Sequence, residues 1–190
     1  MNTPTNTPKR SSFHIGMRNI KTAVAAMICA FLYFLVDRNP TFACIGAIFG
    51  MGGNKEQSLL GGGNRLFGTI IGGFIGMGLF SIYAHFYPES SANFNYKPVM
   101  LLLVALGVIV LILIAQIIHW PGAIQPGGVM LCIILFNTPV DTYVIYSLNR
   151  ILDTAMGVII AFLVNIALPE SRWKRIKAKI TGKPIEKTHR

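Results

Sequence analysis

The amino-acid sequence predicts an all-α polytopic membrane protein with six transmembrane helices in a 3+3 inverted repeat. Hydrophobic residues make up 53% of the 190 positions and charged residues only 13%, whereas a soluble domain has about a quarter charged residues. Long apolar stretches separate the charges, and roughly 20 apolar residues are enough to cross a bilayer as a helix. A phrase that recurs after 85 residues supplies the internal repeat.

The two copies of this phrase are Asn64–Gly76 and Asn149–Ala161. Each opens with an Asn-Arg pair and has a Thr four residues after the Arg: Asn64, Arg65 and Thr69 in the first copy, Asn149, Arg150 and Thr154 in the second. Glycine and alanine continue each copy at the four-residue spacing of a close-packed helix face. Chance recurrence is the alternative, but Asn, Arg and Thr are less abundant here than the apolar residues, which favours a true repeat.

The first three helices follow from the apolar runs and their breaks. Ser11–Lys21 separates apolar from basic residues, as an interfacial amphipathic helix does, with its basic face toward anionic headgroups. The first span is then Ile20–Val36. A second segment, Thr41–Gly53, is Gly-rich and too short to cross a core of about 30 Å, so we expect a broken helix. A polar connection over Asn54–Asn64 leads to the third span, Arg65–Tyr87.

The second group of three repeats this order after an outer loop over Pro88–Pro98. The fourth span, Val99–Ile118, contains no charged residue. The fifth, Gly122–Phe136, is again short, and Gln125–Gly128 is expected to interrupt it. The sixth span covers Thr142–Leu168. Short or broken helices at matching positions of two repeats are a sequence sign of a transport site.

Basic residues set the expected topology. With a cytoplasmic N-terminus, 14 of the 17 basic residues lie on the cytoplasmic side, as the positive-inside rule requires. The three on the outer side are Arg38, Lys97 and Arg150. Three spans reverse the chain, so the second repeat is inverted. We therefore expect a multi-pass cell-membrane protein with both termini cytoplasmic. Its parts are a disordered leader over 1–12, a membrane domain over 13–170 with repeats at about 16–87 and 98–170, and a basic tail over 171–190.

The two intramembrane arginines are the strongest candidate site residues, because an Arg among apolar spans is costly and is a functional candidate by default. Asp153 lies three residues after Arg150, on the same helix face, so a local ion pair is the structural alternative there. Arg65 has no acid within one turn. A bound anion would supply its partner, and snorkelling to the headgroups is the alternative.

Other polar residues of the repeats complete the candidate site. Asn64, Asn149, Thr69 and Thr154 are candidate substrate-binding residues alongside Arg65 and Arg150. Asp153 and Glu56 are candidates for proton coupling, although a structural ion pair is favoured for each. The glycine faces are expected first of all to pack helices closely.

Several classes of function find no support in the sequence. No nucleophile–base pair, phosphate-binding loop or dinucleotide loop is present, so we expect neither an enzyme nor a cofactor. Histidines do not cluster, and no metal site is expected. Cys29, Cys44 and Cys132 lie in apolar spans and are predicted to be small core residues. The net charge of +10 is read as a topology signal, with no nucleic-acid partner.

Three segments together resemble the aromatic acid exporter family: Gly16–Ala23, Glu56-Gln57-Ser58 and Asn64–Gly73. This family belongs to the fusaric-acid-resistance-like superfamily, which also contains the plant aluminium-activated malate transporters. The resemblance covers about Gly16–Pro169. It implies a six-helix unit that pairs with a second unit and moves organic anions along a path of basic residues, a role that carries over onto Arg65 and Arg150. Many relatives have a sizeable cytosolic helical domain where this chain has a short basic tail.

The sequence thus favours a membrane exporter of small organic anions, aromatic carboxylates above all, that works as a homodimer among membrane lipids. Two alternatives stay open. One is an anion channel, in which the same arginines set selectivity without proton coupling. The other is a membrane scaffold that transports nothing and uses the basic tail to bind lipids or a partner.

Overall fold

The computed structural model describes residues 16–86, 98–139 and 141–168, and within these the chain is helical without a β-strand. The predicted leader over 1–12, residues 88–97 of the predicted outer loop and the predicted tail over 171–190 lie outside the described residues. The helices are α1 (Met17–Leu35), α2 (Thr41–Gly50), α3 (Lys55–Phe86), α4 (Pro98–Ile117), α5 (Ile124–Asn137) and α6 (Tyr143–Ala167). A single 3-10 turn, Pro121–Ala123, precedes α5.

Four of the described helices, α1, α3, α4 and α6, are long and apolar enough to cross a membrane. Their outward faces carry large apolar side chains, such as Phe34 and Leu102, which are 79% and 72% exposed. Apolar surface on that scale suits a lipid environment rather than water. These observations confirm an all-α membrane protein. Helix α2 has only ten residues and rises about 15 Å, which is half a bilayer core.

Helix α3 begins at Lys55, ten residues before the predicted start, so the predicted connection over Asn54–Asn64 is wrong. Asn54 caps the helix, because its Oδ1 accepts a hydrogen bond from the Gln57 N–H at 2.8 Å. Glu56 in the first turn complements the helix dipole. Gly62, within that predicted connection, instead packs closely on another helix, because a Cβ there would lie 2.5 Å from Val158 Cγ1 of α6.

The predicted interruption of α5 at Gln125–Gly128 is also wrong. Pro126 is the third residue of this helix, where its missing N–H would have had no partner within the helix. The helix continues through Gly127 and Gly128, and Gly127 is the point at which α3 approaches most closely. The Pro-Gly-Gly sequence therefore lies near the start of α5 and provides its close contact with α3; it does not break the helix.

Close helix packing explains the glycine faces, as predicted. Helix α3 packs on α5, and α6 packs on α2. A Cβ at Gly72 would overlap the carbonyl of Gly127, and one at Gly157 would overlap the carbonyl of Ala43. The two buried cores have the same organisation, since one joins α1, α2 and α6 and the other joins α4, α5 and α3. Each of the long helices α3 and α6 thus packs against a short helix that is distant from it in the sequence.

Lys21 lies inside the bundle, which corrects its prediction as a residue of the headgroup-facing surface. Its side chain is 2% exposed, and its Nζ donates a hydrogen bond to Asn165 Oδ1 of α6 at 2.8 Å. Asn165 Nδ2 in turn donates to Asn54 O and to Ser58 Oγ. This polar network joins the beginnings of α1 and α3 to the end of α6, and burial is tolerated because the polar atoms are hydrogen-bonded. Ser11–Ile15 of the predicted amphipathic segment lie outside the described residues.

Candidate functional site

The two arginines of the repeated phrase, Arg65 on α3 and Arg150 on α6, lie on opposite sides of a common level along these two packed helices. These helices contact each other near Gly62 and Val158 at one end and near Gly73 and Ile151 further along, so they run antiparallel. That register brings the repeated threonines, Thr69 and Thr154, to nearly the same level. Arg65 and Arg150 each lie four residues away from it in opposite directions, about 6 Å along the axis.

The two threonines form equivalent hydrogen bonds within their own helices. Thr69 Oγ1 donates to the carbonyl oxygen of Arg65 at 2.7 Å, and Thr154 Oγ1 donates to the carbonyl oxygen of Arg150 at 2.8 Å. Both side chains are buried. Bonds of this kind compete with the helix ladder and bend helices slightly. The hydroxyl protons are therefore engaged within their own helices, and a contact with substrate stays a prediction.

Arg65 faces a cleft and has no acidic partner among the described residues. The guanidinium carbon lies 5.4 Å from the centre of the Phe49 ring. Its buried Nε has no hydrogen-bond acceptor, and no carboxylate of the described residues forms an ion pair with it. The cleft has a volume of about 360 Å³ and is lined by Phe49, Gly61, Asn64, Arg65, Gly122, Gln125, Pro126 and Val129.

Asn64 builds one wall of this cleft. Its Oδ1 accepts a hydrogen bond from Trp120 Nε1 at 2.6 Å, and the Trp120 ring packs on Phe67 at a centroid distance of 5.2 Å. Asn64 thereby holds the connection between α4 and α5 against α3. Asn149, its repeat partner, is half-buried beside Arg150.

Arg150 is neutralised by the predicted ion pair. Its Nη2 lies 3.3 Å from Asp153 Oδ2, and Asp153 is only 1% exposed. Two further residues bind the other carboxylate oxygen: the Tyr33 hydroxyl donates to Oδ1 at 2.7 Å, and Arg38 Nη2 approaches it at 3.3 Å. Tyr33 and Arg38 were not predicted from the sequence. For Tyr33, the sequence pattern that could have predicted burial is the four-residue spacing of Ala25, Cys29 and Tyr33, which places all three on one face of α1.

The short helix α2 connects the two arginine sites through a pair of phenylalanines. Phe42 lies 4.2 Å from the guanidinium carbon of Arg150, and Phe49, seven residues later on the same face, contacts Arg65. The Tyr146 ring, 4.9 Å away, forms a second aromatic contact with Arg150. Each arginine is therefore held against an aromatic ring by attraction to the ring's negative face.

The remaining candidates lie apart from this site. Glu56 is exposed in the first turn of α3 and forms no ion pair with another described residue. In the described part of the chain, no three His, Cys, Asp or Glu residues come together as metal ligands would. The three cysteines are free and buried or half-buried, as expected of core residues.

Comparison with known proteins identifies relatives of most of the chain. The family model described as aromatic acid exporter family member 1 matches residues 13–168. A UPF0421 protein of Staphylococcus haemolyticus is 26% identical over 168 residues, which are 88% of this chain and 47% of the relative. The chain thus spans about half the length of this curated relative. No solved structure matches the chain.

Proposed function

The chain belongs to the aromatic acid exporter family, and on that basis we propose that it moves small aromatic carboxylate anions across the cell membrane along a path that contains Arg65 and Arg150. The family points to a membrane exporter, and the residues of this chain supply the rest of the proposal. It involves no catalysed reaction and no cofactor.

The observation that supports the proposal most directly is the environment of the Arg65 side chain. This side chain is half-buried within a candidate membrane-spanning helix, borders the cleft, and has no carboxylate partner among the described residues. An intramembrane cation without a counter-ion is expensive. A carboxylate that entered the cleft would receive two parallel hydrogen bonds from the planar guanidinium.

The walls of the cleft suit the other half of an aromatic acid. Phe49 and Val129 offer apolar surface, and Gln125 and Asn64 offer amide groups. The volume of about 360 Å³ lies at the small end of ligand sites, which favours a single-ring acid over a larger anion. Polar groups at one end and an apolar wall at the other would orient the ligand with its carboxylate on Arg65.

The proposed path passes from Arg65 along α2 to Arg150. Support comes from Phe42 and Phe49, which place one face of α2 against both arginines. We propose that α1–α3 and α4–α6 are the two halves of the inverted repeat. The paired contacts of α3 with α5 and of α6 with α2 support that interpretation, as does the antiparallel alignment of the two repeated phrases.

Flux into proteoliposomes tests this function. Purified protein should move radiolabelled benzoate, and an inward or outward proton gradient should change the initial rate. Flux that is indifferent to the gradient would identify an anion channel instead. An absence of flux with correctly folded, inserted protein would favour the scaffold and would contradict the proposal.

The proposed topology has both termini in the cytoplasm. Asn39 is exposed just before α2 and Lys55 is exposed at the first residue of α3, so cysteines at these two positions report on opposite sides. We expect an impermeant maleimide on intact cells to label Asn39→Cys and to spare Lys55→Cys, after subtraction of the unsubstituted protein. Equal labelling of both positions would contradict this topology.

A homodimer completes the proposal. Six helices, of which two are short, form a small unit to enclose a hydrated path alone, and their outward faces are strongly apolar. Membrane lipids would cover the rest of that surface. Light scattering in detergent should give twice the mass of the chain, and full transport by a dilute reconstituted monomer would exclude the dimer as a requirement.

A further inference from the structure

An acidic residue beside the arginine distinguishes the second copy of the repeat from the first. Asp153 follows Arg150 by three residues, and Gly68 occupies the equivalent place after Arg65. No side chain fits at Gly68, because a Cβ there would lie 2.5 Å from the carbonyl oxygen of Ala123 and closer still to Pro126. Arg150 therefore has a carboxylate partner on its own helix, whereas Arg65 borders an open cleft.

The two oxygens of the Asp153 carboxylate have different partners. Tyr33 and Arg38 bind its Oδ1, whereas Oδ2 is buried and lacks an aligned hydrogen bond although Arg150 Nη2 is 3.3 Å away. Arg150 Nε is likewise buried and has no acceptor among the residues that the structure describes. The ion pair between Arg150 Nη2 and Asp153 Oδ2 thus leaves a donor on Arg150 and an acceptor on Asp153 unused.

From this asymmetry we infer that Arg150 is a second anion site, which Asp153 occupies in place of the transported carboxylate. The inference rests on the proposed function. An organic carboxylate arriving from Arg65 would displace Asp153 Oδ2 and bind Arg150, while Tyr33 and Arg38 retain Asp153 through Oδ1. Competition by the internal carboxylate keeps the second site weak, and a path that conducts needs sites from which the anion can leave.

Arg38 makes this exchange possible. Its side chain is 45% exposed and borders a surface cleft of about 470 Å³ at the connection between α1 and α2, beside the exposed Asp37. Two cations share one buried carboxylate, so Asp153 keeps a partner when it releases Arg150. Loss of Arg38 would leave Arg150 as the cation that pairs with Asp153, beside the Tyr33 hydroxyl, and would strengthen the internal pair.

Benzoate binding to the purified full chain tests the inference by counting sites. We expect one site in the unchanged protein and two in Asp153→Asn, whose amide no longer neutralises Arg150 but still accepts from Tyr33. The matched control, Asp153→Asn with Arg150→Gln, should return to one site. Benzoate flux of Asp153→Asn should fall several-fold, because the anion leaves the second site more slowly.

The outcomes separate this inference from the proposed function. If the unchanged protein binds no benzoate, the proposed function itself fails. If it binds one benzoate and Asp153→Asn also binds one with the same affinity, only the inference fails. Should Asp153→Asn not fold, Arg38→Gln decides, with Lys55→Gln as the control. A several-fold loss of flux in Arg38→Gln alone supports the exchange, and equal flux in the two variants overturns it.

Discussion

Replacing Arg65 with alanine is expected to lower benzoate flux at least about tenfold while the protein stays folded. Hydrogen bonds to a charged group contribute about 1.5–3 kcal/mol, and each 1.4 kcal/mol corresponds to about a factor of ten. Folding should survive, because Arg65 has no ion pair with a described residue and loses mainly its contact with the Phe49 ring. The measurement is the initial rate of uptake into proteoliposomes at matched protein content.

Two further variants show whether charge or geometry at position 65 matters. Arg65→Lys keeps the charge but lacks the planar fork that fits a carboxylate, so we expect intermediate flux and weaker discrimination between benzoate and chloride. Lys55→Ala removes an exposed cation at the start of the same helix and should leave flux unchanged. Normal flux in Arg65→Ala would mean that this residue anchors or packs the helix and binds no substrate.

The largest effect on stability is expected from Gly72→Ala and Gly157→Ala. The added methyl group at either position would overlap a backbone carbonyl of the facing short helix, at Gly127 and at Ala43. Backbone atoms cannot rotate away as a side chain can, so the helices must separate. Overpacking of this kind costs about 1–3 kcal/mol and sometimes more. Both variants should therefore show a lower midpoint of thermal unfolding in detergent and a smaller monodisperse fraction.

Gly78→Ala is the matched control on α3, since a Cβ at this exposed position meets nothing within 4 Å. Alanine is the better helix former by about 1 kcal/mol, so its unfolding midpoint should equal or exceed that of the unchanged protein. If Gly72→Ala or Gly157→Ala behaved like Gly78→Ala, the close approach of the long and short helices would be wrong.

Features that depend on local spacing could be predicted from the sequence. The positions of the apolar helices follow from hydropathy, and the pair formed by Arg150 and Asp153 follows from their i, i+3 spacing on one helix. Close packing through Gly72 and Gly157 follows from small residues at four-residue steps. Each of these relations is contained within a single helix, where the periodicity of the backbone fixes which residues share a face.

Contacts between distant segments could not be predicted in the same way. Tyr33 reaches Asp153 across 120 positions of the sequence, and Lys21 meets Asn165 across 144. The basic face of an amphipathic helix suggests an interface with water or lipid, but only the packing of α1 on α6 reveals that Lys21 faces inward. Phe42 and Phe49 carried no signal of their own, because aromatic residues are common in any apolar helix.

The central claim is that a carboxylate binds Arg65 in the cleft beside Phe49. The most direct test is an experimental structure of the protein with 4-bromobenzoate, in which anomalous scattering locates the bromine. We predict a bromine peak between Phe49 and Val129, with the carboxylate against the Arg65 guanidinium and no such peak in Arg65→Ala. A ligand bound elsewhere in the unchanged protein, or bound equally well in this cleft without Arg65, would contradict the claim.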